Sequence, residues 1–243
     1  MKHKRRYKRG YPVAILLGLE ADYGTLWQIY SHVAKYITKI KIEGKRSDDK
    51  SLYNFHQLIL DKMKSIFETG VKTVIVAAPS KTEYSTKFID HIRKHHRYLV
   101  DSKSSKKVNF GEIESSANNR IEVAELVKSK QFVNLIENTT SKEADQIINI
   151  LEKKLYSKEN MSEILYTLKE IENKIYNKPR SDELAKEYLI LTDKYLSENR
   201  NKGRIHRLMQ IANNQKIQTR IIKNETLAGN RVSQFGGIIY FEN

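Results

Sequence analysis

Short apolar runs alternate with longer amphipathic segments along the chain, and this alternation restricts the folds that the sequence can adopt. Residues 71–78 are rich in β-branched side chains and predict a buried strand. Residues 13–19 and 25–30 predict two more strands, joined as a hairpin by the polar turn around Asp22. Strands interspersed with helical patterns predict an α/β protein in which helices flank small sheets.

The first half of the chain contains the elements of one such sheet. Residues 36–42 alternate between apolar and lysine side chains, as in a half-exposed strand. Residues 43–50 form a polar loop that leads into a helix with one apolar face. The predicted strands of this half are 13–19, 25–30, 36–42, 71–78 and 108–114, and its predicted helices are 52–66 and 84–99.

The second half begins with helical segments and continues with a shorter α/β stretch. A polar stretch at 115–119 separates the halves and is the best candidate for a linker. Because 243 residues suffice for two cores, we expect two small mixed α/β domains, 11–118 and 119–243, preceded by a basic arm, 1–10. The predicted helical segments are 121–136, 144–156, 164–176, 204–212 and 225–234, and the strands are 188–192, 218–223 and 237–241.

Positive charge gives the first indication of function. The chain has 44 Lys and Arg against 29 Asp and Glu, a net charge of +15, and such a field favours polyanionic partners. Residues 1–118 hold +11 of this excess. The arm contains six basic residues and no acidic one, so it either binds phosphates or is a disordered solubilising tail. Its candidate phosphate contacts are Lys4, Arg5 and Arg6.

Composition excludes several classes of protein. The chain has no cysteine, which rules out disulfides, thiolate metal sites and cysteine nucleophiles and favours a reducing compartment. Its longest apolar run, residues 13–19, is too short to cross a bilayer. We therefore expect a cytoplasmic protein that has no membrane segment.

Two further basic clusters are candidates for nucleic-acid binding, because lysine and arginine are the side chains that most often contact phosphates. The third predicted strand and the loop after it contribute the first cluster, Lys39, Lys41, Lys45, Arg46 and Lys50. The outer face of helix 84–99 contributes the second cluster, Arg93, Lys94 and Arg97. For this second cluster, a merely solvated helix face is an equally good interpretation.

Two groups of side chains raise the question of a metal site. Asp48 and Asp49 are adjacent in a loop, where two carboxylates rarely converge on one ion, and their charge suits the start of a helix. His91 and His95 share a helix face with His96 beside them, but no third ligand is identifiable. These histidines fit an RNA-facing or a solvated surface. The sequence therefore identifies no catalytic residue, no metal site and no cofactor.

Five stretches occur along the chain in a distinctive order: 49–55 (DKSLYNF), 73–80 (TVIVAAPS), 114–118 (ESSAN), 188–193 (YLILTD) and 229–241 (GNRVSQFGGIIYF). This order resembles the central and C-terminal domains of the Pelota and class-1 peptide chain release factor superfamily of archaea and eukaryotes. The last stretch is the most specific, because the superfamily packs a Phe-Gly-Gly-Ile turn against its final strand. The resemblance implies a central-type domain followed by an α/β sandwich similar to kink-turn-binding ribosomal proteins.

Two departures restrict what the resemblance implies for function. Members usually begin with a domain that reads the stop codon or enters the decoding region, whereas this chain starts almost at the central domain, so we do not expect codon recognition. Release factors also have a Gly-Gly-Gln tripeptide on the central-domain loop. The corresponding positions here are Asp48, Asp49 and Lys50, and carboxylates there would repel tRNA phosphates and a developing oxyanion.

Three functions remain compatible with the resemblance. The first is a non-catalytic, ribosome-associated translation factor of the rescue or termination type, which takes the place of a tRNA. Its partners would be the ribosome, rRNA or tRNA, with a translational GTPase or a recycling ATPase on the C-terminal domain. The second is a peptidyl-tRNA hydrolase or a tRNA 3′-end nuclease, which the absent glutamine disfavours. The third is a stand-alone protein that binds structured RNA.

Overall fold

The computed structural model describes residues 12–30, 33–101, 107–156, 164–177 and 186–242. The chain divides into two compact units. The first unit comprises the chain up to Ser65 together with Val71–Thr140, and the second comprises Ile66–Gly70 together with the chain from Ser141 onward. Each unit is a mixed sheet with helices, which confirms the predicted α/β fold class. None of the helices within the described ranges is long and apolar enough to span a membrane.

The first unit is built on a five-stranded sheet. Its strands are β1 (Pro12–Leu19), β2 (Tyr23–Tyr30), β3 (Ala34–Lys41), β4 (Thr73–Ala78) and β5 (Asn109–Glu114). They lie in the order β3-β2-β1-β4-β5. Strands β1, β4 and β5 are parallel, whereas β2 is antiparallel to both β1 and β3. The sheet thus contains the predicted β1–β2 hairpin, and the carboxyl ends of its three parallel strands lie at one edge.

Helices cover both faces of this sheet. They are α1 (Asp49–Glu68), α2 (Tyr84–His95), α3 (Arg120–Leu126) and the first part of α4 (Lys130–Tyr156), with a 3₁₀ helix (Arg97–Leu99) after α2. Side chains alternate along β1, so Leu16 lies in a buried cluster with Val123 of α3 and Phe132 of α4. On the other face, Leu17 and Ile59 of α1 both lie close to Gly24.

The second unit is built on a four-stranded sheet. Its strands are β6 (Ile164–Leu165), β7 (Glu187–Thr192), β8 (Gln218–Ile222) and β9 (Ile238–Glu242), in the order β6-β9-β7-β8. Strands β7 and β8 are parallel, and β9 is antiparallel to β6 and β7. The later part of α4 packs on this sheet through Ile147 and Leu151, which lie in one buried cluster with Tyr188, Val232 and Ile239. The remaining helices are α5 (Leu168–Tyr176), α6 (Asp193–Glu198), α7 (Lys202–Asn214) and α8 (Leu227–Gln234).

The structure divides the chain within α4 and not at residue 118, where the polar stretch suggested a domain boundary. Helix α3 and the start of α4 belong to the first unit, because Val123 and Phe132 are buried in the same cluster as Trp27 of β2. The polar stretch itself is an ordered turn: the Trp27 indole N–H donates a hydrogen bond to the carbonyl oxygen of Ala117 at 2.8 Å. Its polar side chains, Ser116 and Asn118, form hydrogen bonds with Glu20 and Glu122, so the polar composition belongs to an ordered turn and not to a linker.

Several elements of the second half differ from their predicted bounds. Helix α4 runs without interruption across residues 137–143, where a break was predicted. The hydroxyls of Thr139 and Thr140 each donate to a carbonyl oxygen four residues earlier, at 2.7 Å, and so are compatible with the helix. The predicted helix 164–176 begins with strand β6 before α5, and helix α6 was not predicted.

Candidate nucleic-acid interface

The loop after β3 leads directly into α1, and Asp48 defines the start of that helix. The Asp48 carboxylate accepts a hydrogen bond from the Ser51 amide at 2.8 Å, and its carbonyl oxygen accepts one from the Leu52 amide at 2.9 Å. These are the bonds of a helix N-cap. Hydrogen bonds from Ser51 lower the pKa of the Asp48 carboxyl group. The predicted role of Asp48 at a helix N-terminus is confirmed, and Asp49 lies in the first turn.

The Arg46 side chain forms contacts that hold this loop in place. Its Nη1 donates hydrogen bonds to the carbonyl oxygens of Glu20, at 2.5 Å, and Ala21, at 3.0 Å. The guanidinium carbon lies 3.9 Å from the centroid of the Tyr84 ring. Burial lowers the pKa of Arg46. Arg46 therefore fastens the loop to the β1–β2 turn, and it does not present its charge to solvent as an exposed phosphate ligand would.

The other four residues of the first cluster are exposed lysines, Lys39, Lys41, Lys45 and Lys50. Lys39 and Lys41 pair with Thr25 and Tyr23 across β2 and therefore share one face of the sheet. Lys39 Nζ lies 3.2 Å from the centroid of the Tyr23 ring. In the described parts of the chain, none of the four lysines forms an ion pair. Their charge is therefore free to attract phosphates.

A bulge changes the alternation that was predicted for β3. Leu26 pairs with Thr38, whereas the next residue, Trp27, pairs with Tyr36, so Ile37 is the extra residue. Tyr36 consequently lies on the same sheet face as Lys39 and Lys41, and not opposite them as strict alternation predicts. Its ring contacts Trp27 edge-on, with centroids 5.3 Å apart.

The second cluster lies at the far end of α2 and on the 3₁₀ helix. Arg93, Lys94 and Arg97 are all exposed. Arg93 forms an ion pair of 3.0 Å with Asp90, but both side chains are about 60% exposed, so the pair contributes little to stability. Tyr84, which contacts Arg46, begins α2, so the helix separates the two clusters by about 15 Å. Lys4, Arg5 and Arg6 lie outside the described residues.

His91 does not belong to the basic surface to which it was assigned. Its side chain is 8% exposed, and its ring centroid lies 5.1 Å from that of His56 of α1, which is 1% exposed. Burial lowers the pKa of His56 to about 3 and that of His91 to about 4, so both rings are neutral at pH 7. Within the described ranges, no group of three or more His, Asp or Glu side chains is arranged to hold a metal ion.

A polar network at the carboxyl ends of β1 and β5 was not predicted from the sequence. Asn118 Nδ2 donates to Glu20 Oε1 at 2.6 Å and contacts Ser116 Oγ at 2.7 Å. Glu122 Oε2 accepts hydrogen bonds from Ser116 Oγ and the Asn118 amide, both at 2.8 Å. The network fixes the 115–119 turn beside Glu20, whose carbonyl oxygen Arg46 also binds. The position of Glu20 directly after a buried strand is the sequence feature that could have indicated this network.

The second unit contains a basic segment that the predictions also missed. Residues 199–224 include seven Lys and Arg and no Asp or Glu. Two of the seven are used inside the unit, because Arg204 pairs with buried Glu172 and Arg220 with buried Glu143. The exposed members at and near the start of α7 are Arg200, Lys202 and Arg207. The absence of acidic residues over 26 positions was the signal that could have revealed this segment.

Comparison with known proteins identifies the fold. No family model and no curated protein matches the chain. Among solved structures, it is similar to ribosome-bound archaeal Pelota determined with ABCE1, with a TM-score of 0.53 and 15% identity over 99% of this chain. The chain has a Pelota-type fold. The resemblance expected from the sequence is therefore confirmed at the level of the fold.

Two further solved structures match the chain at lower similarity. Saccharomyces cerevisiae Dom34, a translation termination-like factor, has a TM-score of 0.49 and 19% identity over 95% of this chain. The archaeal translation termination factor aRF1 has a TM-score of 0.32 and 12% identity over 95% of this chain. The chain spans 63% of the Pelota chain and 62% of the Dom34 and aRF1 chains.

We expect Arg46 and Lys45 to differ in their effect on stability, although they are adjacent in the loop. Arg46→Ala removes two hydrogen bonds and the contact with Tyr84, and should lower the free energy of unfolding by about 1–3 kcal/mol. Lys45→Ala removes only an exposed charge and should change it by less than about 0.5 kcal/mol. Urea denaturation of the two variants measures this difference. Equal midpoints would show that Arg46 is merely another loop charge.

Proposed function

We propose that the chain is a ribosome-associated, tRNA-mimicking translation factor of the ribosome-rescue or termination type that does not release the peptide. The observation that supports this proposal is the set of four exposed lysines, Lys39, Lys41, Lys45 and Lys50, on a unit of Pelota-type fold. The resemblance implies that this loop approaches the tRNA acceptor end and ribosomal RNA. Exposed lysines without ion pairs in the described structure suit contacts with RNA phosphates.

The loop chemistry favours binding over peptide release. Asp48 and Asp49 occupy the positions that correspond to the Gly-Gly-Gln tripeptide, and the Asp48 carboxylate is engaged by the Ser51 amide. A carboxylate that caps a helix is held away from a role as general base and would oppose a developing oxyanion. Changing Asp48 and Asp49 to Ala should therefore leave RNA binding intact, and should remove no hydrolytic activity.

The proposed function includes a protein partner that binds the second unit. The Pelota structure was determined with ABCE1, and Dom34 is described as interacting with Hbs1. By analogy, we infer that the second unit contacts a translational GTPase or a recycling ATPase. Co-purification of the full chain with candidate NTPases, with and without ribosomes, tests this inference.

Binding to ribosomes or tRNA should depend strongly on the four lysines and on salt. If they contact phosphates, wild-type affinity falls at least about tenfold between 50 and 200 mM salt, because each contact releases counterions. The variant in which Lys39, Lys41, Lys45 and Lys50 are all replaced by Gln should bind at least about tenfold more weakly at 100 mM salt, with a shallower salt dependence. Filter binding or anisotropy over a salt series measures both quantities.

A matched variant controls for net charge. Its substitutions to Gln remove four exposed lysines elsewhere, at Lys128, Lys130, Lys142 and Lys153. This control should retain most of the wild-type affinity. Salt-insensitive binding, or equal losses in the two variants, would contradict the assignment of the interface. Hydrolysis of peptidyl-tRNA or trimming of tRNA 3′ ends by the purified chain would instead support an enzyme.

A further inference from the structure

A row of aromatic rings lies on the surface of the first unit, between α1 and the end of α2. Tyr53 of α1 is 41% exposed, and Tyr98 of the 3₁₀ helix is 43% exposed. The Tyr53 ring contacts those of His91 and His95 edge-on, with centroids 5.0 and 4.9 Å apart. His91 contacts His96 at 5.5 Å, and His96 contacts Tyr98 at 6.1 Å. Contacts between neighbouring rings thus connect the two exposed tyrosines, and the link between His95 and His96 is the buried ring of His91, which lies beneath them.

Hydrogen bonds hold this aromatic row in place. His96 Nε2 lies 2.9 Å from Gln57 Oε1, and Gln57 Nε2 donates to Asp61 Oδ1 at 3.0 Å. Asp61 in turn forms an ion pair of 2.7 Å with Lys64. Beneath the row, His91 packs on the buried His56. The His96 ring is therefore held against α1 before any ligand binds, which reduces the entropy lost on binding.

Exposed positive side chains adjoin members of the row along the chain. Lys50 precedes Tyr53 by one turn of α1 and is exposed, so the two side chains lie on the same side of the helix. Lys94 and Arg97 are exposed and adjoin His95, His96 and Tyr98 in the chain. The acidic residues nearby are Asp61 and Asp90, both in ion pairs, Asp48 and Asp49 at the start of α1, and the exposed Asp101, whose amide donates to the Arg97 carbonyl oxygen at 2.9 Å.

We propose that the aromatic row is a stacking platform for unpaired RNA bases, with the adjoining phosphates on Lys50, Lys94 and Arg97. Proteins bind single-stranded RNA by combining aromatic rings, on which bases stack, with cations that follow the backbone. Three of the five rings are histidines and cations adjoin the row, so it is not the contiguous apolar patch that is typical of a protein-binding surface. The proposal rests on the proposed RNA-binding function and adds that the RNA bound at this surface is single-stranded.

Comparison of normal and abasic RNA tests the platform directly. The probes are a fluorescein-labelled ten-nucleotide oligoadenylate and the same sugar–phosphate chain without bases, bound to the full chain at 100 mM salt. Both carry the same charge, so a difference in affinity measures the bases alone. We expect the oligoadenylate to bind at least about 25-fold more tightly than the abasic chain, since stacking on each of two exposed tyrosines commonly gives a factor of about five or more.

Substitutions at the two exposed tyrosines locate the effect. Tyr53→Ala and Tyr98→Ala should each reduce the preference for the oligoadenylate by about fivefold, whereas Tyr53→Phe and Tyr98→Phe should retain it because the ring remains. Tyr156→Ala removes a tyrosine that is 78% exposed in the second unit and serves as the control. Because Tyr98 is exposed, its Ala variant is expected to fold, which urea denaturation verifies.

The possible outcomes distinguish failure of the stacking platform from failure of the proposed ribosome-associated function. Equal binding of the two probes to the wild-type chain overturns the platform, whatever the variants do. If the four-lysine Gln variant nevertheless loses affinity for ribosomes or tRNA, the proposed function stands without the platform. A preference for bases that survives both Tyr→Ala substitutions also overturns the platform, since the bases would then stack elsewhere.

Discussion

Glu143→Ala should lower the free energy of unfolding of the second unit by about 3–5 kcal/mol. The Glu143 carboxylate pairs with the Nε–H of Arg220, and the two side chains are 4% and 9% exposed. Arg220 Nη1 also donates to the carbonyl oxygen of Thr219 at 2.7 Å, whereas Nη2 is buried with no hydrogen-bond partner in the described structure. The substitution would leave this guanidinium charge buried without its counterion, and desolvation of an unpaired charge is among the most costly changes in a protein interior.

Two further variants distinguish the charge from the packing. Glu143→Gln retains a hydrogen-bond acceptor of the same size and should lose less stability than Glu143→Ala. Joint replacement of Glu143 by Leu and Arg220 by Met removes both charges and should recover much of the loss. Urea denaturation followed by circular dichroism measures all three. If the double variant were as unstable as Glu143→Ala, lost packing and not an unpaired charge would be the cause.

Acid should destabilise the first unit below pH 6.5. Burial lowers the pKa of His56 to about 3, and neighbouring His91 and Arg46 add to the effect. An unfolded histidine has a pKa near 6.5, so between pH 6.5 and about 3 the unfolded chain binds a proton at His56 that the folded chain does not. The free energy of unfolding therefore has no penalty from His56 above pH 6.5, and it decreases as the pH falls below that value. At pH 4.5, His56 alone should account for a loss of about 2–3 kcal/mol.

His91, next to His56, should also make the first unit less stable in acid. Burial and the adjacent His95 and His96 lower the pKa of His91 to about 4. Denaturation midpoints at pH 7 and pH 4.5 measure the effect, and His56→Gln should reduce the difference between them because the side chain no longer titrates. His206→Gln, at an exposed position of α7, serves as the control. An unchanged pH dependence in His56→Gln would contradict the assigned pKa.

Much of the fold could be predicted because its elements have strong local patterns. Strands β1, β2, β4 and β7 are six to eight residues long and largely apolar, and α1 and α2 each have one apolar face. The domain boundary could not be predicted in this way. Whether α3 and the start of α4 pack with the first or the second core depends on contacts with Trp27, which lies about 90 residues earlier in the sequence.

In the candidate site, too, local patterns could be predicted from the sequence and long-range contacts could not. Strand periodicity was enough to place Lys39 and Lys41 together on an exposed face. The partial burial of Arg46 was not predictable, because it depends on Tyr84 and on the carbonyl oxygen of Glu20, both remote in sequence. The contact between Tyr53 and His95 likewise arises only when α1 and α2 pack side by side. Charge patterns therefore located the exposed lysines, but only tertiary packing distinguished the structural cation, Arg46, from them.

Strand β3 is the outermost strand on one side of the first sheet, as far as the described residues extend. An outermost strand has backbone amides and carbonyls that can pair with a second copy of the chain, the first step of aggregation. Lysine side chains and bulges are two of the features by which natural sheets prevent such pairing, and β3 has both: Lys35, Lys39 and Lys41, and the bulge at Ile37. Protection from such pairing is thus a second reason for positive charge on this strand. The same lysines of β3 serve both this protection and the proposed binding of nucleic acid.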